Sequence, residues 1–384
     1  MSITVCLGAN TLYAQNSNGN KLLYPSGHRW VFLNWALGLR ALGYRVIWLE
    51  GVNFRKTVNY ELQACVSLLK SHLEQYDLAD SVALYSITNE PLSMAITEGC
   101  MDLDEACEAD LLINLAYKMP QEVIKRFRRS VMVDIDPGLT QIWISEGQMG
   151  VARHDMYFTI GETVGQPGAM FPDCGLQWHY TPPPVYLPAW PPTQAESIAP
   201  YTTITSWWDG WVESQGQSYF NRKRDGFMQV LDLPRWTTYP LELAICGAAD
   251  KNDRRMLQER GWRICDAFDV ASSPRNYQRY IQNSKGEISC AKPSCIRLQN
   301  AWVSDRTLCY LASGKPAVIQ HTGPSRFLPD SAGMFRFRNL EEAVRCLQVV
   351  EADYDQQCKL ARELAEEYFD AQKVVKNVIE QALA

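Results

Sequence analysis

Between residues 172 and 200 the chain reads PDCGLQWHYTPPPVYLPAWPPTQAESIAP, with proline at eight of 29 positions. Proline fixes φ and offers no backbone donor, so this density forbids a helix or a central strand and marks an extended linker. Cut there, a chain of 384 residues leaves two pieces of ordinary domain size. The sequence therefore predicts an N-terminal domain over 1–180, a linker over 181–200, a C-terminal domain over 201–355 and a closing helical segment over 356–384, with a cleft between the domains. The closing segment, DYDQQCKLARELAEEYFDAQKVVKNVIEQALA, has helical spacing with a break near Phe369, and is expected to return to the first domain.

Both halves alternate strands with helices. ITVCLGAN (3–10) reads as a strand, WVFLNWALGLRALG (30–43) as a helix and YRVIWLEG (44–51) as a strand, the order of a βαβ unit in a parallel sheet. A helix over 60–75, short helices over 104–108 and 120–128, and strands DLLINLAY (110–117), SVMVDIDPG (130–138) and MYFTIGET (156–163) continue the pattern. After the linker it restarts with YTTITSW (201–207), a helix over 226–233 and ELAICGA (242–248). Then come a helix over 251–260, WRICDA (262–267), a helix over 274–283, EISCAK (287–292), a helix over 304–313 and PAVIQHT (316–322). Two doubly wound, Rossmann-like α/β domains in tandem are the expectation.

Charge and cysteine usage narrow the function. A net charge of -6, from 37 Lys and Arg against 43 Asp and Glu, would repel nucleic-acid phosphates, so nucleic acid is not expected as a partner. MSITVCLGAN has no basic leader, and no stretch reaches the roughly 18 apolar residues of a membrane span. The 12 cysteines are scattered without a C-x-x-C pair, which suggests buried thiols in a cytoplasmic protein and no metal site.

The stretch SDRTLCYLASGKPAVIQHTG (304–323) contains Gly314-Lys315, yet it is no P-loop: Cys309 stands where the first glycine belongs, and Pro316 follows the lysine. Gly314 instead suits a helix C-cap and Pro316 a stop, which shifts attention to the N-terminus of that helix, near Ser304, Asp305 and Arg306. There, free backbone N–H groups and the positive end of the dipole favour an anion.

The order strand, polar N-cap, helix ending A-S-G-K-P, strand and T-G resembles the donor-nucleotide half of GT-B glycosyltransferases. GHRWVFLNWALGLRALGYRVIWLEG (27–51) resembles the first loop, helix and second strand of inverting members that glycosylate natural products. The sequence lacks both the E-x7-E pair of many retaining enzymes and the H-C-G-W-N-S run of the plant-type branch, although Trp302 and Ser304 echo the latter.

The resemblance implies a nucleotide-sugar-dependent transferase, probing the acceptor hydroxyl with a base and the leaving diphosphate with cations. His28 matches the base, Asp136 its orienting carboxylate, with Asp110 behind it. Gly27, Lys223, Lys292, Ser304, Asp305 and Arg306 are the diphosphate set, and Ser206, Trp207, Gln320, Thr322 and Gly323 the sugar and ribose set. A UDP-sugar is the favoured co-substrate, with no other cofactor and no metal, and the acceptor is a carbohydrate or small molecule. An epimerase, a phosphorylase or a silent nucleotide-sugar-binding protein would share this pattern. Plainer readings accompany each residue: His28 as a solvated first-turn histidine, Asp136 as a turn cap, the lysines as surface cations. Asp134-Ile135-Asp136 also spells the D-x-D metal motif of the other major glycosyltransferase fold, a fold that needs no tandem halves. Trp178, Trp190, Trp207, Trp208 and Trp211 surround the linker, suited to packing or to stacking on a ring. The basic run K-R-F-R-R (125–129) reads as a solvated helix end.

Overall fold

The computed structural model describes residues 3–12, 27–53, 59–88, 90–214, 216–247 and 250–384. Ala248, the last residue of the expected strand ELAICGA, lies outside them. The first half runs β1 (Thr4–Ala9), α1 (Gly27–Ala41), β2 (Arg45–Val52), α2 (Asn59–Glu74), β3 (Val82–Ser86), α3 (Met94–Thr97) and α4 (Leu103–Cys107). It continues with β4 (Leu111–Asn114), α5 (Gln121–Ile124), β5 (Ser130–Asp134), α6 (Leu139–Ser145), β6 (Met156–Thr159) and β7 (Trp178–Tyr180). All seven strands pair in parallel, in the order β3-β2-β1-β4-β5-β6-β7.

The second half begins with β8 (Tyr201–Ser206), β9 (Trp211–Ser214), β10 (Gln217–Phe220), α7 (Lys223–Gln229), β11 (Leu241–Cys246), α8 (Lys251–Glu259), β12 (Arg263–Asp266) and α9 (Ala267–Val270). There follow α10 (Pro274–Gln282), β13 (Gly286–Ser289), α11 (Pro293–Leu298), α12 (Asp305–Ala312), β14 (Ala317–Gln320), β15 (Met334–Phe337), α13 (Leu340–Ala352), α14 (Tyr354–Tyr368) and α15 (Ala371–Leu383). Six strands form a parallel sheet in the order β12-β11-β8-β13-β14-β15. Each sheet thus contains the Rossmann order, with a reversal beside its first strand.

Several elements escaped the sequence reading. β3 and β15 are short runs at or near sheet edges, and β9 with β10 forms an antiparallel hairpin whose turn uses Gly216 at φ +72°. β7 lies inside the proline-rich stretch, where a strand is tolerated because it occupies the sheet edge and no neighbour needs its outer donors.

The way the chain closes brings the two sheets together. α1 is buried on every side from Arg29 to Leu39, because the sheet, the C-terminal helix and the second domain all pack on it. Trp30 donates its indole N–H to the Pro274 carbonyl of α10 at 3.0 Å, and its ring meets Trp190 of the linker at 4.6 Å between centroids. The helix breaks at Phe369, and Val185 of the linker exchanges backbone hydrogen bonds there with Phe369 and Ala371. α15 then packs along α1, where a side chain at Gly38 would collide with Ala371, its Cβ 2.8 Å away. Arg129 fastens the end of α15 by donating to the Ala382 carbonyl. One continuous apolar core runs from Val5 through Trp190 and Leu311 to Ala382, and so spans both domains.

Candidate functional site

In open parallel sheets, ligands bind beyond the carboxyl ends of the strands where strand order reverses. Here β1 ends at Ala9-Asn10 and β8 at Thr205-Ser206, and the domains set these two ends against each other. Between them lies a cleft of about 550 Å³. Asn10, Gly27, His28 and Val31 line it from the first domain; Thr205, Ser206, Trp208, Asp209, Lys223, Cys246, Tyr277, Lys292, Ser304, Asp305 and Arg306 line it from the second. A second cavity of about 440 Å³ opens within the first domain, walled by Phe32, Leu115, Tyr117, Lys118, Ile135, Asp136, Trp143, Gln148 and Met149. Asn10 and His28 belong to both cavities, so this pair forms the wall between them.

His28 is the second residue of α1. Its Nε2 lies 3.2 Å from the Asn10 carbonyl oxygen. A carbonyl only accepts, so in the neutral ring Nε2 carries the proton and Nδ1 keeps its lone pair. The expected orienting carboxylate is therefore replaced by a main-chain carbonyl. The ring keeps an open face to the cleft, yet the surrounding protein lowers its pKa below the usual 6.5, against the opposing pull of the Asn10 carbonyl and the Asp136 charge. Neutral imidazole is thus the resting form at neutral pH. Gly27, immediately before it, is required by contact: a Cβ there would stand 2.7 Å from the Tyr277 ring of the second domain.

Three cations face the cleft in different states. Lys223 opens α7 and is only 8% exposed. No carboxylate or carbonyl among the described residues accepts from its ammonium; its nearest recorded partner is the Trp302 ring, 5.9 Å away. Burial, then Arg306 and Lys292, push its pKa down to about 7. Lys292 is bound to Asp209 at 2.6 Å, and Asp136 and Asp209 outweigh the effect of burial to raise its pKa. Arg306 is committed to the protein, donating to Glu287 Oε1 and to the Ile204 carbonyl, each at 2.8 Å.

α12 begins as the sequence predicts, with Ser304 at the N-cap, but the hydroxyl makes no capping hydrogen bond. The serine side chain and the first backbone N–H groups lie at the cleft wall. Asp305 sits in the same turn, where burial raises its carboxyl pKa to about 6, with its own backbone N–H opposing and Asp136 reinforcing the shift. A carboxylate there repels phosphate, so an anion at this terminus is served by the backbone, not by the Asp305 side chain.

Other expected residues lie elsewhere. Trp207 is fully buried, stacked on Phe227 with its indole N–H donated to Asp253, and it is Trp208 that reaches the cleft. Alternation along the chain puts neighbours on opposite sides, and the one-residue choice was not legible from sequence. Gln320 accepts from the Ala291 N–H, Thr322 donates to the Trp302 carbonyl, and a Cβ at Gly323 would stand 2.7 Å from the Gln299 backbone. Gln320 and Thr322 line only a small void behind Ser304 and Arg306, outside the cleft. Asp110 accepts from the Thr4 N–H at the opposite, N-terminal edge of the sheet. Asp136 faces the second cavity, and no side-chain or backbone donor among the described residues reaches its carboxylate.

The D-x-D is not a paired presentation of carboxylates. Asp134 is fully buried and accepts from Tyr117, Thr140, Gln141, Thr159 and the Asp136 N–H, which uses both of its oxygens. Among the described residues no group of three or more His, Cys, Asp or Glu side chains converges as a metal site. All 12 cysteines are free thiols, and no described helix is long and apolar enough to cross a membrane. In the basic run, Lys125 pairs with Glu122, Arg126 with Asp104, and Arg129 serves α15. Asn10 and Tyr277 were missed; Asn10 alone carried a signal, as the residue leaving the first strand.

Two facing Rossmann-like domains with the C-terminal helix crossing back to the first define the GT-B class of fold. No family model and no curated relative matches the sequence. Solved structures do match over the whole chain. The alpha-glucosyltransferase AGT in complex with UDP superimposes with a TM-score of 0.59 at 12% identity, covering 100% of both chains. HepE of Anabaena in complex with UDP-glucose gives 0.58 at 10%, over 99% of each chain. AviGT4, a glycosyltransferase involved in avilamycin A biosynthesis, gives 0.56 at 11%, over 99% of this chain and 97% of its own. At these identities the likeness establishes the fold.

Proposed function

We propose that this protein is a glycosyltransferase that moves a sugar from a nucleotide-diphosphate donor, with a UDP-sugar favoured, to an acceptor hydroxyl, by inversion and without a metal. The observation that carries the reading is the meeting of two cavities at His28. One cavity has an unpaired buried cation and a helix N-terminus, and the other lies across the imidazole. The structural neighbours solved with UDP or UDP-glucose add to it.

In this mechanism the donor diphosphate lies between Lys223, Lys292 and the N–H groups at 304–306, and Ser206 and Trp208 flank the rest of the donor. His28 Nδ1 takes the acceptor proton as the acceptor oxygen attacks the anomeric carbon. The bond from that carbon to the diphosphate oxygen breaks, and both electrons leave with the diphosphate. Lys223 supplies charge where charge accumulates, which is the term that most lowers such barriers. A single base on the face opposite the leaving group gives inversion. A nucleotide-sugar substrate and unpaired thiols suit a cytoplasmic setting.

The test is a thermal-shift screen of UDP, GDP, dTDP and CMP sugars, followed by transfer and donor-hydrolysis assays with product anomers read by NMR. Binding of a UDP-sugar, an inverted product and loss of transfer in His28→Ala with donor affinity retained are expected. Binding with neither transfer nor hydrolysis would leave a nucleotide-sugar-binding protein, and a retained anomer would remove His28 from the role of base.

A further inference from the structure

We infer that the acceptor is a small aromatic compound glycosylated on a phenolic hydroxyl, its ring held in the 440 Å³ cavity beyond His28. This rests on the transferase reading and extends it to the second substrate. Two independent features of the site lead there.

The first is the wall. Phe32, Leu115, Ile135, Trp143 and Met149 present aliphatic and aromatic surface on a space that fits one or two fused rings. Tyr117, Lys118, Asp136 and Gln148 can pair with one or two hydroxyls, but a sugar would set the rest of its ring of hydroxyls against the five apolar residues, where uncompensated burial of each costs free energy. A flat apolar ring loses nothing of that kind and gains contact with Trp143 and Phe32. The volume takes a single small ring system, and the only Lys or Arg lining it among the described residues is Lys118, on a wall shared with Asp136.

The second is the base. The His28 ring is held by the Asn10 carbonyl at 3.2 Å, with no carboxylate hydrogen-bonded to it. Its positive charge, once formed, is stabilised by a dipole and the more distant Asp136 charge alone, and its resting basicity is already reduced by burial. Such a base is poorly matched to an alcohol, whose acidity is near that of water, and several pK units better matched to a phenol, at about 10. Transfer then follows the balance given above: the phenol proton passes to Nδ1, the phenolate oxygen bonds to the anomeric carbon, and the diphosphate departs with the electron pair.

The experiment pairs 4-methylphenol with 4-methylcyclohexanol, which differ little in size and greatly in acidity, alongside methyl β-glucoside, using UDP-glucose and UDP-galactose as donors with the full chain. Glycoside formation is followed by mass spectrometry. We expect kcat/KM at least a hundredfold higher for the phenol than for its saturated partner, and no product from the methyl glucoside. Ile135→Trp, which fills the cavity, should raise the phenol KM at least tenfold. Equal rates for phenol and cyclohexanol, or preferred transfer to the methyl glucoside, would overturn the inference while leaving the transferase reading intact. If neither donor binds or is hydrolysed, both fall together. Because the acceptor comparison uses unmodified protein, it decides the matter even if Ile135→Trp fails to fold.

Discussion

Lys223 offers the sharpest quantitative test, because a buried lysine without an acidic partner must change its protonation when an anion arrives. In the empty cleft its pKa stands at about 7, lowered by burial and by Arg306 and Lys292. At pH 8 about nine-tenths of the population is therefore neutral, and binding a diphosphate that returns the pKa to its ordinary range takes up about 0.9 proton. At pH 6, by the same arithmetic, uptake falls to about 0.1. Affinity should accordingly fall by about tenfold per pH unit above 7, until the pKa of the bound state is reached. The other groups facing this site do not confuse the reading at pH 8. His28 lies below 6.5 and Asp305 near 6, so both have already lost their protons, while Cys290 and Cys295 are raised and remain thiols. Lys292 is raised and stays charged.

The assay is calorimetry of UDP-glucose binding at pH 8 in buffers of different ionisation enthalpy, where the slope of apparent enthalpy gives the protons taken up. Lys223→Met should abolish the slope and weaken binding by roughly two to three orders of magnitude, the loss of a charge-assisted contact in a dry site. The same substitution should stabilise the ligand-free protein at pH 7. Between pH 7 and 10.5 the unfolded chain binds the lysine proton more than the folded chain does, so wild-type stability rises with pH through that window and the penalty is fully present below it. Removing the amine relieves on the order of 4 kcal/mol at pH 7, seen as a higher Tm. An uptake below about 0.2 proton at pH 8, or a slope unchanged in Lys223→Met, refutes the argument that this lysine is the phosphate partner.

Two further outcomes separate neighbours that the sequence could not. Trp207→Ala should cost about 3–5 kcal/mol of stability, because it empties a stacked core position and removes one donor from Asp253, which keeps Arg224, whereas Trp208→Ala should leave the Tm nearly unchanged and raise the donor KM. Asp134→Ala should destabilise the fold by about 3 kcal/mol, since five donors lose their acceptor, while transfer by the unmodified protein persists in EDTA; loss of transfer in EDTA with rescue by manganese would restore the D-x-D as a metal site.

The architecture was legible because it rests on local signals. Proline density over 172–200 divides the chain, apolar periodicity switches between strand and helix on either side, and Gly314-Lys315-Pro316 ends α12 where the turn chemistry requires. The break at Phe369 was visible for the same reason. His28, Lys223, Lys292 and Ser304 were also within reach, because position at the carboxyl end of a strand or the start of a helix follows from order along the chain. What the sequence left open was which of two adjacent side chains faces the cleft, as with Trp207 and Trp208, and which polar groups are already satisfied. Arg306 and Glu287 lie 19 residues apart and are joined only because α12 packs on β13. The partner of His28 is decided by the approach of β1 to α1, and Lys223 is left over because Asp209 goes to Lys292 and Glu287 to Arg306. Chain order sets the elements; the free charge that makes a cleft a binding site is a remainder, known only after every other pairing in the folded protein has been made.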